Sequence, residues 1–322
     1  MHVILVRLVT VAALVFGVVS SAQAQNYPNR PVRVIVPFGA GGSSDFTTRL
    51  VGEKLGEKLG QRFVVENMPG AGGISAARAV LSAGADGHTL ALFAASTAIS
   101  VGLFKSLPFD PLKDFTPISR IGFTDCIFVT SIDSEFRTLA DFLKVAREKP
   151  SALNVGTVAV GSTQHLSAEL FKSMAGINFV IVPFRSSPEA LVALLRNDIQ
   201  MIIDFPPALR AALSDRKLNV LAATGPVSAK LLNVPTVKEA GIPDYQADSW
   251  NALYAPAGSP KESIEVINRA LRAVVAESEL KKRILEVGFE TQAGSPEELD
   301  SLMRADITKW GKVIEQAGIG KQ

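Results

Sequence analysis

The feature that most constrains the fold is a regular alternation of short β-branched segments and amphipathic segments, joined by glycine-rich turns. The first unit consists of strand Val32–Phe38, turn Gly39–Gly42 and a helix that begins near Ser44 and stops at Gly60. A strand, a helix and a second strand follow at 62–66, 74–82 and 89–93. Because helical crossovers join parallel strands, this order predicts an α/β fold with a mostly parallel sheet flanked by helices.

The middle of the chain repeats this order, and the length argues for two lobes. Single cores stop growing at about 250–300 residues, and this chain has 322 residues, of which 47% are hydrophobic. No low-complexity linker separates two halves, so we predict that strands near 121–129 and 248–255 cross between the lobes. Lobe 1 then comprises residues 25–122 and 251–322, and lobe 2 comprises residues 123–250.

The first 24 residues have the pattern of a cleaved export signal. Arg7 precedes an apolar run from Leu8 to Val19, and the small residues of Ser21–Ala24 predict cleavage before Gln25. A membrane anchor is the alternative, but the run is shorter than the about 20 apolar residues that span a bilayer. We therefore predict an exported protein that is free in the periplasm.

Three glycine-rich loops follow predicted strands and precede predicted helices: Gly39–Asp45, Gly70–Gly73 and Gly156–Ser162. Glycine allows backbone amides to approach a ligand, and a helix start adds free N–H donors with a partial positive charge. These loops therefore predict a site for a carboxylate, although tight turns alone would explain any single loop. Ala94–Thr97 is predicted to be the loop that leaves the strand at 89–93.

Composition and motif content argue against several other classes of function. Lys and Arg number 33 and Asp and Glu number 31, a balance that predicts no nucleic-acid partner. Gly39-x-Gly41 is superficially similar to a dinucleotide motif, but Ser44 occupies the place of the third glycine, so no cofactor is predicted. The single cysteine, Cys126, lies in an apolar stretch and is predicted to be a buried small hydrophobe.

Candidate catalytic and metal-binding groups are few. His88 and His165 are the only histidines after the export signal, and two histidines cannot form a three-histidine zinc site, so no metal is predicted. Ser162 and His165 are three residues apart, and a hydrolase that uses them as nucleophile and base is an alternative. The interpretation we prefer is that both residues shape the loop and that no residue is catalytic.

Short motifs follow one another along the chain from Tyr27 to about Ala317. They are Tyr27–Phe38, Gly41–Asp45 with Arg49, Val64–Gly73, Asp86–Leu90, Leu107–Asp110 with Asp114 and Phe115, Gly161–Leu166 with Glu169–Phe171, Val182–Phe184, Val234–Val237 with Glu239–Gly241, Trp250 and Ala255–Pro260. In number and order these motifs resemble those of the tripartite tricarboxylate transporter substrate-binding family, also called the Bordetella uptake gene or Bug family.

The resemblance implies a two-lobed periplasmic binding protein fold, type II-like, with two crossover strands as the hinge. It also implies a monomer that closes over a small organic anion: a di- or tricarboxylate, an amino acid or an aromatic acid. A membrane permease or a sensor kinase would recognise the closed form. The ligand contacts implied by the motifs are Gly41, Gly42, Ser43, Asp45, Ala71, Gly72, Ala95, Ser96, Gly161, Ser162, Thr163, His165, Phe184, Arg185 and Asp204.

Two segments depart from the family pattern. Gly39-Ala40 stands where prolines are common, and Phe184-Arg185-Ser186 replaces the usual Tyr-Lys-Gly. Loss of that glycine and gain of a hydroxyl are expected to reshape the pocket.

Overall fold

Strands and helices alternate through residues 27–322, the part of the chain that this computed structural model describes. The strands are β1 Val32–Val36, β2 Phe63–Asn67, β3 Thr89–Ala94, β4 Phe115–Asp125, β5 Ile127–Ser131, β6 Asn154–Val158, β7 Val180–Phe184, β8 Met201–Asp204, β9 Leu218–Ala223, β10 Asp248–Pro256 and β11 Glu290–Thr291. The helices are α1 Ser43–Leu59, α2 Ile74–Ser82, α3 Ala95–Leu103, α4 Leu139–Glu148, α5 Thr163–Ala175, α6 Ser187–Leu195, α7 Pro206–Ser214, α8 Pro226–Leu232, α9 Lys261–Val275, α10 Ser278–Leu285 and α11 Pro296–Gln316, and a 3₁₀ turn covers Ala71–Gly73. Within these residues, no helix has the length and apolarity needed to traverse a bilayer, and the predicted export signal lies outside them.

The strands form two sheets, which confirms the predicted two-lobed α/β architecture. Sheet A has the order β11-β4-β10-β3-β1-β2, and sheet B has the order β7-β6-β8-β5-β9. The pairs β1–β2, β1–β3, β6–β7 and β6–β8 are parallel, as the sequence predicts. The other pairs are antiparallel, so each sheet is mixed rather than mostly parallel. The reason is that β10 enters sheet A from sheet B, and β5 enters sheet B from sheet A, rather than by a crossover from a neighbouring strand of the same sheet.

The chain passes between the sheets at two adjacent places. Cys126 alone separates β4 from β5, and residues 224–247 lead from β9 to β10. Thr224 joins the two passages, because its Oγ1 accepts from the Cys126 amide at 2.9 Å and donates to the Ala247 carbonyl at 2.5 Å. The first crossing falls within the predicted region 121–129, whereas the second ends where the predicted region 248–255 begins. The exact lobe limits, after residues 122 and 250, stay a prediction.

Each sheet is covered by helices on both faces. On one face of sheet A, α1 and α9 pack against Val34, Leu92 and Leu253. On its other face, α2, α3 and α11 pack in a cluster that continues onto sheet B beneath α4 and α5. The second face of sheet B is covered by α6 and α7. The shared cluster shows that the two lobes are packed together along α3, α5 and α11.

One predicted loop is a helix. Residues Ala94–Thr97 do not form an exit loop, because α3 begins at Ala95 directly after β3. Nearly every side of α3 is buried, including Ala98, Ile99 and Leu103. A helix buried all round carries no polar stripe, so its sequence lacks the 3.6-residue periodicity that identified the other helices.

Candidate ligand-binding site

The carboxyl ends of the parallel strands bring the predicted contact residues to one edge of each sheet. In sheet A, β1 ends shortly before Gly41, and β3 ends at Ala94 before α3. In sheet B, the register places the ends of β6, β7 and β8 side by side, next to Gly161, Phe184 and Asp204. Ligands of open α/β sheets bind outside such edges, so both edges are candidate binding surfaces.

Asp45, in the first turn of α1, organises the loop that precedes it. Its buried carboxylate accepts hydrogen bonds from the Gly41 amide at 2.9 Å, Asn67 Nδ2 at 2.9 Å and Arg49 Nε at 3.0 Å. Burial raises the pKa of the Asp45 carboxyl, but the bonds from Arg49, Gly41 and Asn67 outweigh burial and hold the pKa below its ordinary value. This charge is therefore compensated within the loop, and it fixes the backbone of Gly42 and Ser43 at the helix start.

The second loop and α3 meet at Gly72. Its φ is 63°, and a Cβ at this position would lie 2.8 Å from Phe104 Cε2, so the contact requires glycine. Ala71 precedes it in the 3₁₀ turn. Ala95 and Ser96 form the first turn of α3, where amides have no partner within the helix. Ala95 is fully buried, and its side chain packs in the core cluster shared by the two lobes.

The residues at the start of α5 form the corresponding set of candidate contacts at the edge of sheet B. Ser162 caps the helix, since its Oγ accepts from the His165 amide at 3.1 Å. Thr163 is buried behind it, in the first turn. His165 is also buried, and its Nδ1 has no hydrogen-bond partner within residues 27–322. Burial, assisted by the charge of Lys172, lowers the pKa of His165 to about 4, so the imidazole is neutral at pH 7.

The contact between Ser162 and His165 is that of a helix cap. A nucleophile and base pair requires the imidazole to accept the serine proton. Here Ser162 Oγ donates to the Val158 carbonyl at 3.1 Å and meets the backbone of His165 rather than its ring. This geometry favours the structural interpretation of the pair over the hydrolase. Within the described chain, no group of three or more His, Cys, Asp or Glu side chains is placed to hold a metal ion.

Asp204 forms a second buried polar cluster at the end of β8. Its Oδ1 accepts from Gln164 Nε2 at 2.9 Å and from the Phe205 amide at 2.8 Å, and the Ser187 hydroxyl also bonds to the carboxyl group. Its Oδ2 is buried and has no partner among the described residues. Burial raises the pKa of Asp204 despite the bonds from Ser187, Gln164 and Phe205, which favours the protonated acid.

Phe184 and Arg185 lie at the end of β7 but have different surroundings. The Phe184 ring lies 3.3 Å from the point where a Gly156 Cβ would stand, and it packs against the core beneath α6 and α7. Arg185 is exposed, and its amide donates to Glu189 Oε2 at 3.3 Å. Of this pair, only Arg185 has its side chain at the solvent rim.

One contact between the lobes joins the loop before α5 to the end of α3. Gly161 has a φ of 82°, and a Cβ there would lie 2.1 Å from Leu103 Cδ2, at the end of α3. The loop before α5 therefore touches the helix that begins at the edge of sheet A.

Sequence reasoning missed four polar residues at these edges. Asn67 bonds Asp45 and the Phe38 carbonyl, and Gln164 and Ser187 bond Asp204. Asn251, at the start of β10, bonds Ser44 and is 1% exposed. The one available signal was the polar Asn251 directly before the apolar run 252–256, because a buried amide needs partners.

The model of the tripartite tricarboxylate transporter family receptor matches residues 47–319. The chain belongs to this family. BugT of Bordetella pertussis is 30% identical over 305 residues, which cover 94% of each chain. The resemblance to the tripartite tricarboxylate receptor or Bug family is thereby confirmed, and the protein is a solute-binding receptor of a periplasmic family.

Solved structures of the family share the whole architecture. Rpa4515 from R. palustris with adipate is 33% identical, with a TM-score of 0.82 over 92% of this chain and 100% of that chain. MatC from Rhodopseudomonas palustris with bound malate is 30% identical, with a TM-score of 0.76 over 89% of this chain and 100% of that chain.

Proposed function

We propose that this receptor captures a small carboxylate-bearing ligand between lobes 1 and 2 in the periplasm. It delivers the ligand, chemically unchanged, to the membrane subunits of a tripartite tricarboxylate-type transporter. The observation that carries the proposal is the presence of helix starts at the carboxyl edges of both sheets: α1 and α3 on sheet A, and α5 on sheet B. Free amides and the positive end of the helix dipole favour an anion at each edge.

The charges near these edges support an anionic ligand. The negative charge of Asp45 is compensated by Arg49, Asn67 and the Gly41 amide. Burial raises the pKa of Asp204, which disfavours a negative charge on this buried carboxyl group. His165 is neutral at pH 7 and presents a polar ring without a net charge. Relatives with adipate and malate support dicarboxylates as the first ligands to test.

Closure of the lobes would complete the site. A ligand bound to one edge would be covered by the other through hinge motion at Cys126 and Thr224. In this proposal the contacts are the fifteen residues that the motifs imply, with Asp45 acting through the loop backbone. Turnover of the ligand is not part of the function.

Isothermal titration of the mature protein with adipate, malate and the neutral diol 1,6-hexanediol tests the proposal. We expect saturable binding of at least one dicarboxylate and none of the diol. A ligand at 100 times its dissociation constant also adds about 2.7 kcal/mol of stability, which a thermal shift detects. The protein is first unfolded, dialysed and refolded, so that a ligand carried over from the host cannot mask binding. Binding of the diol, or conversion of the acid detected by mass spectrometry, would overturn the proposal.

A further inference from the structure

Asn251 occupies a special position on the central strand of sheet A. It pairs with Ala94 on β3 and with Gly122 on β4, so it lies level with the last residue of β3. Side chains alternate along a strand, and Leu253 packs on the sheet face that α1 covers. The Asn251 side chain therefore lies on the α1 face, at the carboxyl edge of the parallel strands.

The amide of Asn251 is only half satisfied. Ser44 Oγ, in the first turn of α1, donates to Asn251 Oδ1 at 3.1 Å. Nδ2 is buried and has no hydrogen-bond partner within residues 27–322, although the residue is only 1% exposed. A buried donor without a partner is costly, and Leu253 shows that an apolar side chain fits the same face. The Asn251 Nδ2 donor therefore needs a hydrogen-bond acceptor that residues 27–322 do not supply.

The surroundings of this donor define what the acceptor can be. Asn251 lies beside the first turn of α1 through Ser44 and beside the first turn of α3 through Ala94. α1 and α3 cover opposite faces of sheet A, so the sheet edge between them is a topological switch point, where ligands bind. The acid in the first turn of α1, Asp45, has its carboxylate bonded by Gly41, Asn67 and Arg49. The charge of Asp45 is therefore compensated and does not repel an anionic acceptor.

We propose that Asn251 is a specificity-determining ligand residue, whose Nδ2 donates a hydrogen bond to a carboxylate held at the starts of α1 and α3. The inference rests on the proposed function and deepens it, because it assigns one carboxylate of the ligand to lobe 1. An asparagine at this position favours a ligand group that accepts a hydrogen bond, such as a carboxylate, over a ligand group that can only donate one.

Titration of adipate into Asn251→Asp and Asn251→Leu variants of the mature protein tests this role. Asn251→Asp keeps the shape but replaces the donor with a charge that repels a carboxylate. We expect adipate affinity to fall at least about 30-fold at pH 7.5, and the ratio to wild type to shrink at pH 5.5, where the new acid can be protonated and donate. Asn251→Leu lacks the donor but adds no charge, and we expect about a tenfold loss that does not depend on pH.

Asn268→Asp is the matched control. Asn268 Nδ2 donates to the Ile118 and Gly294 carbonyls at 2.8 and 2.9 Å, away from the loops, so this variant should lose stability and keep its adipate affinity. Thermal unfolding without ligand shows that each variant is folded. Wild-type affinity in both Asn251 variants, or a pH-independent loss in Asn251→Asp, would refute the role of Asn251 while leaving the proposed function intact. Failure of the wild type to bind any dicarboxylate would overturn both.

Discussion

Two buried aspartates at the site differ in how their charges are compensated. Asp45 accepts bonds from a guanidinium, an amide side chain and a backbone N–H, and these lower its pKa. Asp204 has neutral donors on one oxygen only, so burial dominates and raises its pKa. Sequence reasoning placed both residues at the site, but it could not separate these roles, because the partners Asn67 and Gln164 are distant in the chain.

The raised pKa of Asp204 predicts how stability depends on pH. Folding favours the protonated acid, so this contribution is present below the unfolded pKa of about 3.8 and is lost as pH rises through the higher folded pKa. Asp204→Asn removes the titration, so we expect the melting temperature of this variant to rise relative to that of wild type as the pH increases from 4 to 8. Differential scanning calorimetry at several pH values measures this gap.

Asp141 provides the control of opposite sign. The bonds from Thr138 and Arg137 at the start of α4 lower its pKa, so its contribution is present above about 3.8 and lost at lower pH. Asp141→Asn should therefore lose stability relative to wild type as pH rises. The same slope in both variants would contradict the assignment for Asp204.

At the scale of single elements, the helix starts carry the proposed binding chemistry. Pro is tolerated at the first position of a helix, where it removes one free amide and leaves the helix intact. Thr163 is the first residue of α5, and Ser162 before it has φ −70° and ψ 160°, a conformation that is compatible with a following proline. This position therefore allows one backbone donor to be deleted.

Thr163→Pro is expected to weaken adipate binding about tenfold, with little effect on helix content. Lys261→Pro is the matched control, because it makes the same change at the first position of α9, where the lysine is exposed. Titration calorimetry and circular dichroism measure the two effects. Equal affinities in both variants would show that the α5 amide does not contact the ligand.

The strand and helix pattern predicted most elements because their periodicity is local. Strand β1 and helices α1 and α2 lie within one or two residues of the predictions, and Gly60 ends α1 in a left-handed conformation. α3 escaped prediction because burial on all sides removes its polar stripe. Asn251 escaped prediction because its importance depends on β10 lying beside β3, a pairing across more than 150 residues that no local pattern encodes.

At the scale of the whole molecule, the contact between Gly161 and Leu103 limits how closely the lobes approach. A Cβ on Gly161 would overlap Leu103 Cδ2 on α3. Leu103 is buried, so a methyl group on Gly161 must displace either the Leu103 side chain or the loop before α5.

Gly161→Ala is therefore expected to open the lobes and to weaken adipate binding about tenfold or more. Gly176→Ala, at the other end of α5, has a similar φ of 60° but nothing within 4 Å of the new Cβ, so it isolates the backbone strain of about 1 kcal/mol. Small-angle scattering should show a larger radius of gyration for Gly161→Ala only. The double variant Gly161→Ala with Leu103→Ala should recover part of the compaction; no recovery would mean that this contact does not set the spacing.

The order of the strands along the chain has a consequence for how such receptors diversify. All strands of sheet B come from one uninterrupted stretch, Ile127 to Ala223, whereas sheet A takes strands from both ends of the chain. The two parts of the polypeptide are joined only at Cys126 and through residues 224–247. A recombination event with breakpoints at these two places would replace one whole half of the molecule as a cassette. New pairings of binding surfaces can then arise in one genetic step, with the helices that cover sheet A left unaltered.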